Sequence, residues 1–67
     1  MKANGAAIRA LRTARGSSVR HLAQLAEMHP SHLSRLERGT RGVSEGVLGR
    51  IAKALDVPRE AITREQT

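Results

Sequence analysis

Apolar residues recur along the chain at the three- and four-residue spacings of α-helices, in five segments separated by breaks. The first segment begins at Asn4 or Gly5, and Gly16 is expected to close it with a left-handed turn. The second begins at Ser18, a residue type that caps helix N-termini well. Its apolar face is predicted to consist of Val19, Leu22, Ala23, Leu25 and Ala26.

The remaining segments follow the same rules. The third begins with Pro30, which needs no N–H at the first helical position, and ends at Gly39. The fourth begins at Ser44, and a short fifth runs over residues 58–62. No run of branched residues alternates with polar ones, so no strand is predicted. The pattern predicts a compact all-α bundle of five short helices.

Composition limits what this bundle can contain. The 67 residues include no Phe, Trp, Tyr or Cys, so a thin aliphatic core is expected, without disulfides, thiolate metal sites or a cysteine nucleophile. No apolar run approaches the ~20 residues of a membrane span, and none is expected. One domain over residues 1–67 is predicted, with a polar tail at 64–67.

The charge is unevenly distributed. The net charge is +6, and residues 1–41 hold eight basic and two acidic side chains, whereas residues 42–67 hold four of each. A one-sided basic surface indicates a polyanionic partner, nucleic acid before membrane. A solubilising surface and the arginine usage of a G+C-rich genome remain alternatives to this interpretation.

The second and third segments are separated by residues 27–29 alone, which predicts a helix–turn–helix unit. At 3.6 residues per turn, Leu33, Leu36 and Glu37 share the inward side of the third helix. The outward side then carries Ser31, Ser34, Arg35 and Arg38. An outward guanidinium can pair with guanine O6 and N7, although any solvated helix face can have this composition.

The order and spacing of these segments resemble the XRE, or Cro/CI-like, helix–turn–helix family of bacterial and phage repressors. The matching text is IRALRTARG, SVRHLAQLAEMHPSHLSRLERG and SEGVLGRIAKALDV, over roughly residues 6–57. The resemblance implies a lambda-repressor-like DNA-binding domain with its helix–turn–helix at about residues 19–38. It further implies a cytoplasmic, nucleoid-associated regulator, a repressor, that binds double-stranded DNA sequence-specifically and has neither catalytic activity nor a cofactor.

The resemblance also implies a role for each matched residue. Base edges would be read by Ser31, Arg35, His32, His29 and Ser34. The residues that match the start of the recognition helix, where the family touches bases or phosphates, are His29, Pro30 and His32. Phosphates would be held by Val19, Arg20, Arg38, Thr40 and Arg41. A structural ion pair would join Arg12 to Glu37, so Arg12 is expected to serve the fold rather than the DNA.

The sequence departs from the family pattern in the helix–turn–helix unit. Val19 stands where the family often has Gln, which removes a side-chain hydrogen bond to phosphate. Ser17 stands where a buried aliphatic residue is common, and Val19 is expected to fill that gap. Glu27 stands where the family usually has Gly, and a left-handed Glu would cost about 1 kcal/mol relative to Gly.

Other sites are disfavoured. His21, His29 and His32 lack cysteine or carboxylate partners at metal-ligand spacing, so no metal site is expected. Ser17 and Ser18 near His21 could suggest a nucleophile and base, but helix capping by Ser18 accounts for the same residues. The absence of aromatic side chains disfavours single-stranded nucleic acid.

The resemblance also bears on the partners of the chain. The family usually binds DNA as a homodimer, here expected to be weak or formed on DNA, through a surface around Val57 and Ile62. The alternative function is a protein-interaction module, such as an antitoxin or a phage-encoded modulator that uses the same fold.

Overall fold

The computed structural model describes residues 2–39 and 41–64, and for Arg41 the backbone alone. Four α-helices span Gly5–Ala14 (α1), Val19–Leu25 (α2), Pro30–Arg38 (α3) and Glu45–Leu55 (α4), and a 3₁₀ helix spans Arg59–Ile62. The main architecture is therefore all-α, as predicted. None of the helices in the described ranges is long and apolar enough to cross a bilayer.

The prediction of a fifth α-helix is wrong, because the last segment is a 3₁₀ helix. Only four residues separate the extended Pro58 from the extended Thr63. That length leaves room for i→i+3 bonds, such as the one from the Ala61 N–H to the Pro58 carbonyl at 3.0 Å, rather than an α-helical ladder.

The expectation of no strand is also wrong. Lys2–Ala3 (β1) pairs antiparallel with Arg41–Gly42 (β2), and Ala3 forms a further bridge with Thr63. Strands of two residues are too short to produce an alternating pattern, so the sequence carries no signal for them. The pairing joins the start of the chain to the loop after α3 and to its C-terminal segment.

The predicted helix boundaries are confirmed by their caps. The side-chain oxygens of Asn4, Ser18 and Ser44 each accept the backbone N–H three residues further on, at 3.1, 3.0 and 3.2 Å. Gly16, two residues after the end of α1, has φ +70°. These caps satisfy backbone groups that a helix end leaves without partners.

The core is aliphatic, as the composition requires. Its largest fully buried side chains are Ile8, Leu22, Leu33, Leu36, Leu48, Ile51, Leu55 and Ile62. Val19 is half-buried and packs against this core, in keeping with its expected role beside Ser17.

Two residues are placed differently from the predictions. Leu25, assigned to the apolar face of α2, is 53% exposed, because the helical rotation carries it to the flank of the arc that Leu22 and Ala23 bury. Ile62 is 0% exposed and fills the core, so it cannot form the dimer surface expected around Val57 and Ile62.

The start of α1 packs closely against the end of α3. A Cβ atom on Gly5 would lie 2.0 Å from the Leu36 carbonyl oxygen and 2.6 Å from that of Gly39. No side chain fits in this space, so glycine is required for the two helices to approach at this point.

The turn between α2 and α3 contains a left-handed residue. Glu27 has φ +56°, so the left-handed conformation considered for this position is present. The Met28 N–H donates to the Ala23 carbonyl across it at 2.9 Å. A non-glycine residue is strained in this region because its Cβ crowds the backbone.

Glu27→Gly should therefore raise the free energy of unfolding by up to about 1 kcal/mol, because glycine adopts this conformation without Cβ strain. Urea-induced unfolding measures the change. Glu27→Ala is the control, since it removes the carboxylate and keeps the Cβ. An equal gain in both variants would attribute the effect to charge and contradict the strain argument.

Candidate nucleic-acid interface

The third helix presents one polar face to solvent. Leu33 and Leu36 are fully buried, and Ser34 is half-buried at the edge of the exposed face. The exposed residues of this helix include Ser31, His32, Arg35 and Arg38. The 3.6-residue period therefore identified the outward side of α3 correctly.

A shallow cleft of about 440 Å³ lies between the start of α2 and the outward side of α3. Its lining residues are Val19, Pro30, Ser31, Ser34, Arg35 and Arg38. The cleft brings together residues that the sequence analysis placed in two groups, the base readers and the phosphate contacts. Its polar part offers hydroxyl groups and guanidinium donors, which suit base edges and phosphates.

Other expected site residues lie outside this cleft. Arg20 and His32 are exposed but do not line it, and His29 caps the start of α3. The backbone of Arg41 lies in β2, while Thr40 falls outside the described residues.

Pro30, which the resemblance placed among the residues that touch bases or phosphates, also lines the cleft and gives it an apolar ring. The sequence indicated Pro30 as the first residue of α3, without indicating that it would line the same cleft as Val19.

An ion pair holds α3 in place. Arg12 Nε donates to Glu37 Oε2 at 2.6 Å, and Arg12 Nη2 donates to Glu37 Oε1 at 2.9 Å. Arg12 Nη1 also donates to the Ser17 carbonyl at 2.7 Å. The hydrogen bonds to Glu37 raise the pKa of Arg12 above its ordinary value. One guanidinium thus connects α1, α3 and the turn that precedes α2.

A second arginine supports the other end of α2. Arg50 Nε, on α4, donates to the Ala26 carbonyl at the C-terminal cap of α2 at 2.8 Å. This contact was not anticipated, since nothing local in the sequence distinguishes Arg50 from the other solvated cations.

His29 is an unusual cap for the start of α3. Its Nδ1 accepts the Ser31 N–H at 3.1 Å. A ring nitrogen accepts only when it carries no proton, so this contact places the ring proton on Nε2. His29 therefore serves the helix through one nitrogen and can donate to a ligand through the other.

The described residues contain no group of three or more His, Asp or Glu side chains arranged to hold a metal ion. Ser17 Oγ lies 3.5 Å from His21 Nδ1, at the limit of a hydrogen bond, while the Ser18 hydroxyl caps α2. The polar cleft on α3 is thus the constellation that best fits a ligand.

Glu37→Gln should lower the free energy of unfolding by about 3 kcal/mol, because it leaves the largely buried Arg12 guanidinium without its counter-charge. Thermal or urea unfolding measures the loss. Glu45→Gln is the matched control, because the Glu45–Arg59 ion pair, 3.6 Å apart, is exposed to solvent. Its loss should lower the free energy of unfolding by less than about 1 kcal/mol. Equal effects of both changes would contradict the structural role of Arg12–Glu37.

His29→Ala should destabilise the protein by about 1 kcal/mol, whereas His29→Asn should retain stability, because an Asn side-chain oxygen caps a helix as Nδ1 does. Unfolding measurements on both variants test this. Imidazole ¹⁵N NMR of the unchanged protein should show the proton on Nε2 of His29, and a proton on Nδ1 would contradict the cap.

Comparisons with known proteins agree with this geometry. A family model described as a helix-turn-helix domain matches residues 5–64. The restriction-modification controller protein C.AhdI from Aeromonas hydrophila is 38% identical, with a TM-score of 0.80, over 85% of this chain and 86% of that chain. No curated protein sequence matches the chain.

Two further solved structures are similar. The biofilm master regulator SinR, known from Bacillus subtilis and solved in complex with DNA, is 32% identical with a TM-score of 0.79, over 84% of this chain and 90% of that chain. The clp gene regulator ClgR from Corynebacterium glutamicum is 38% identical with a TM-score of 0.78. That match covers 84% of this chain and 60% of ClgR, so the chain spans about three fifths of that regulator.

Proposed function

The chain belongs to the XRE, or Cro/CI-like, helix–turn–helix family, and on this premise we propose that it binds double-stranded DNA sequence-specifically and regulates transcription, as a repressor. The observation that carries the proposal is the cleft on α3, which combines two hydroxyl groups with two guanidinium groups on one exposed helix face. SinR, a relative of 32% identity, is known in complex with DNA.

The proposed contacts divide by chemistry. Arg35 would pair with a guanine through O6 and N7, with Ser31 beside it on the same helix face. The other proposed base contacts are Ser34, His29 and His32. Phosphate contacts are assigned to Arg20 and Arg38, the start of α2 at Val19, and the loop at Thr40 and Arg41.

The charge distribution supports this assignment. The excess of positive charge lies within residues 1–41, which include α2, α3 and the following loop. Arg12 is paired with Glu37 and lies within the fold. The remaining cations near α3 give a field that attracts DNA from solution and makes binding weaken as salt rises.

A dimer is part of the proposal. A two-fold dimer would place its two α3 helices one DNA turn apart, about 34 Å. Because Ile62 is buried, it is not part of the dimer surface, which must consist of exposed residues. The proposed dimer interface is small and forms on DNA.

Arg35→Ala should weaken binding to a selected site by about 1–3 kcal/mol and relax base preference at one position, because a base-edge contact is lost. Arg38→Ala should weaken binding to all DNA sequences alike. It should also reduce by about 1 the slope of the logarithm of the binding constant against the logarithm of the salt concentration. The measurement is selection from a random duplex pool, followed by titrations at several salt concentrations.

Lys53→Ala is the control for these variants. Lys53 lines a separate cleft with Leu25 and Arg50, which shares no residue with the cleft on α3. Its removal should leave base preference intact. If neither arginine change alters binding to any DNA, the proposal is wrong and the protein-interaction alternative gains.

A further inference from the structure

The cleft on α3 has two apolar lining residues that the base contacts proposed above do not use. Val19 is the first residue of α2 and Pro30 is the first residue of α3, and both are half-buried. They line the same cleft as Ser31, Ser34, Arg35 and Arg38. One cleft therefore contains two aliphatic residues together with hydrogen-bond donors.

This apolar pair is held rigidly. Val19 packs its inner side against the hydrophobic core, and a valine in a helix has one strongly preferred rotamer. The Pro30 ring has no freely rotating side chain and fixes its own φ. A ligand group that contacts the pair would therefore not have to order it first.

The major groove offers one apolar group that fits such a surface. Base edges there present nitrogen and oxygen atoms, which Val19 and Pro30 cannot satisfy, and the C5-methyl of thymine, which they can contact. 5-Methylcytosine carries the same methyl group at the same place. Arg35 lines the same cleft, so the methyl-bearing base would be a neighbour of the guanine that Arg35 contacts.

We propose that Val19 and Pro30 form a subsite for a pyrimidine 5-methyl group, next to the base contacted by Arg35. The subsite rests on the proposed docking of α3 in the major groove and adds a determinant of sequence choice to it. Val19 thereby exchanges the phosphate hydrogen bond of a polar side chain for a contact with a base.

The experiment uses the full chain and the duplex selected from a random pool. Each thymine of the site is replaced in turn by deoxyuridine, which removes the methyl group and leaves the hydrogen-bonding edge unchanged. One thymine in each half-site should show a roughly three- to tenfold loss of affinity, the amount expected for burial of one methyl group. At that position, a C·G pair should regain affinity by a similar factor when the cytosine is methylated.

Three variants locate the effect. In the Val19→Ala and Pro30→Ala variants, replacing the sensitive thymine by deoxyuridine should lower the affinity less than about twofold. The reason is that each variant has a smaller surface in contact with the methyl group. Leu25→Ala is the matched control. It removes an exposed aliphatic side chain from the other end of α2, outside this cleft, and should retain the full sensitivity. Thermal unfolding and binding to unrelated duplex show that each variant is folded.

The outcomes separate the two proposals. Selection of a site in which no thymine is sensitive to deoxyuridine would overturn the subsite and leave the proposed function standing. Sensitivity that persists unchanged in Val19→Ala and Pro30→Ala would overturn it as well. Failure to select any sequence would overturn the proposed function and the subsite with it.

Discussion

The orientation of the candidate interface depends on one guanidinium group. Arg12 binds both carboxylate oxygens of Glu37 and the Ser17 carbonyl, so it fixes α1, α3 and the turn before α2 relative to one another. The apolar contacts of α3 cannot do this alone, because only Leu33 and Leu36 are buried and hydrophobic contact is non-directional. Hydrogen bonds have preferred angles, so this network selects one rotation of α3 about its axis.

Close backbone packing completes this constraint. Gly5 allows the first turn of α1 to touch the carbonyl groups at the end of α3, where any Cβ would collide. Arg12 lies two turns further along α1, so the same helix holds α3 at two points. Arg50 gives α2 a comparable attachment to α4. Two of the twelve cations thus act within the fold.

Local features of the fold were predictable, and distant ones were not. A capping side chain accepts a hydrogen bond from an N–H three residues away. Asn4, Ser18 and Ser44 could therefore be identified as N-caps from the amino-acid sequence alone. The exposure of Leu25 and the burial of Ile62 depend on how helices pack against segments far along the chain. The strands β1 and β2 join residues about forty positions apart, and nothing local indicates them.

The candidate site shows the same division. The 3.6-residue period alone predicts that Ser31, Ser34, Arg35 and Arg38 share one face of α3. The cleft itself requires the first residues of α2 and α3, Val19 and Pro30, to line one depression, and this depends on the angle between the two helices. Glu27 is a left-handed residue in the turn between these helices, so its backbone conformation helps to set that angle. A glycine there would relieve strain but widen the range of accessible turns. The strained residue and the rigid pair of Val19 and Pro30 therefore act in the same direction, since both reduce the conformations that the interface can adopt before it meets a ligand.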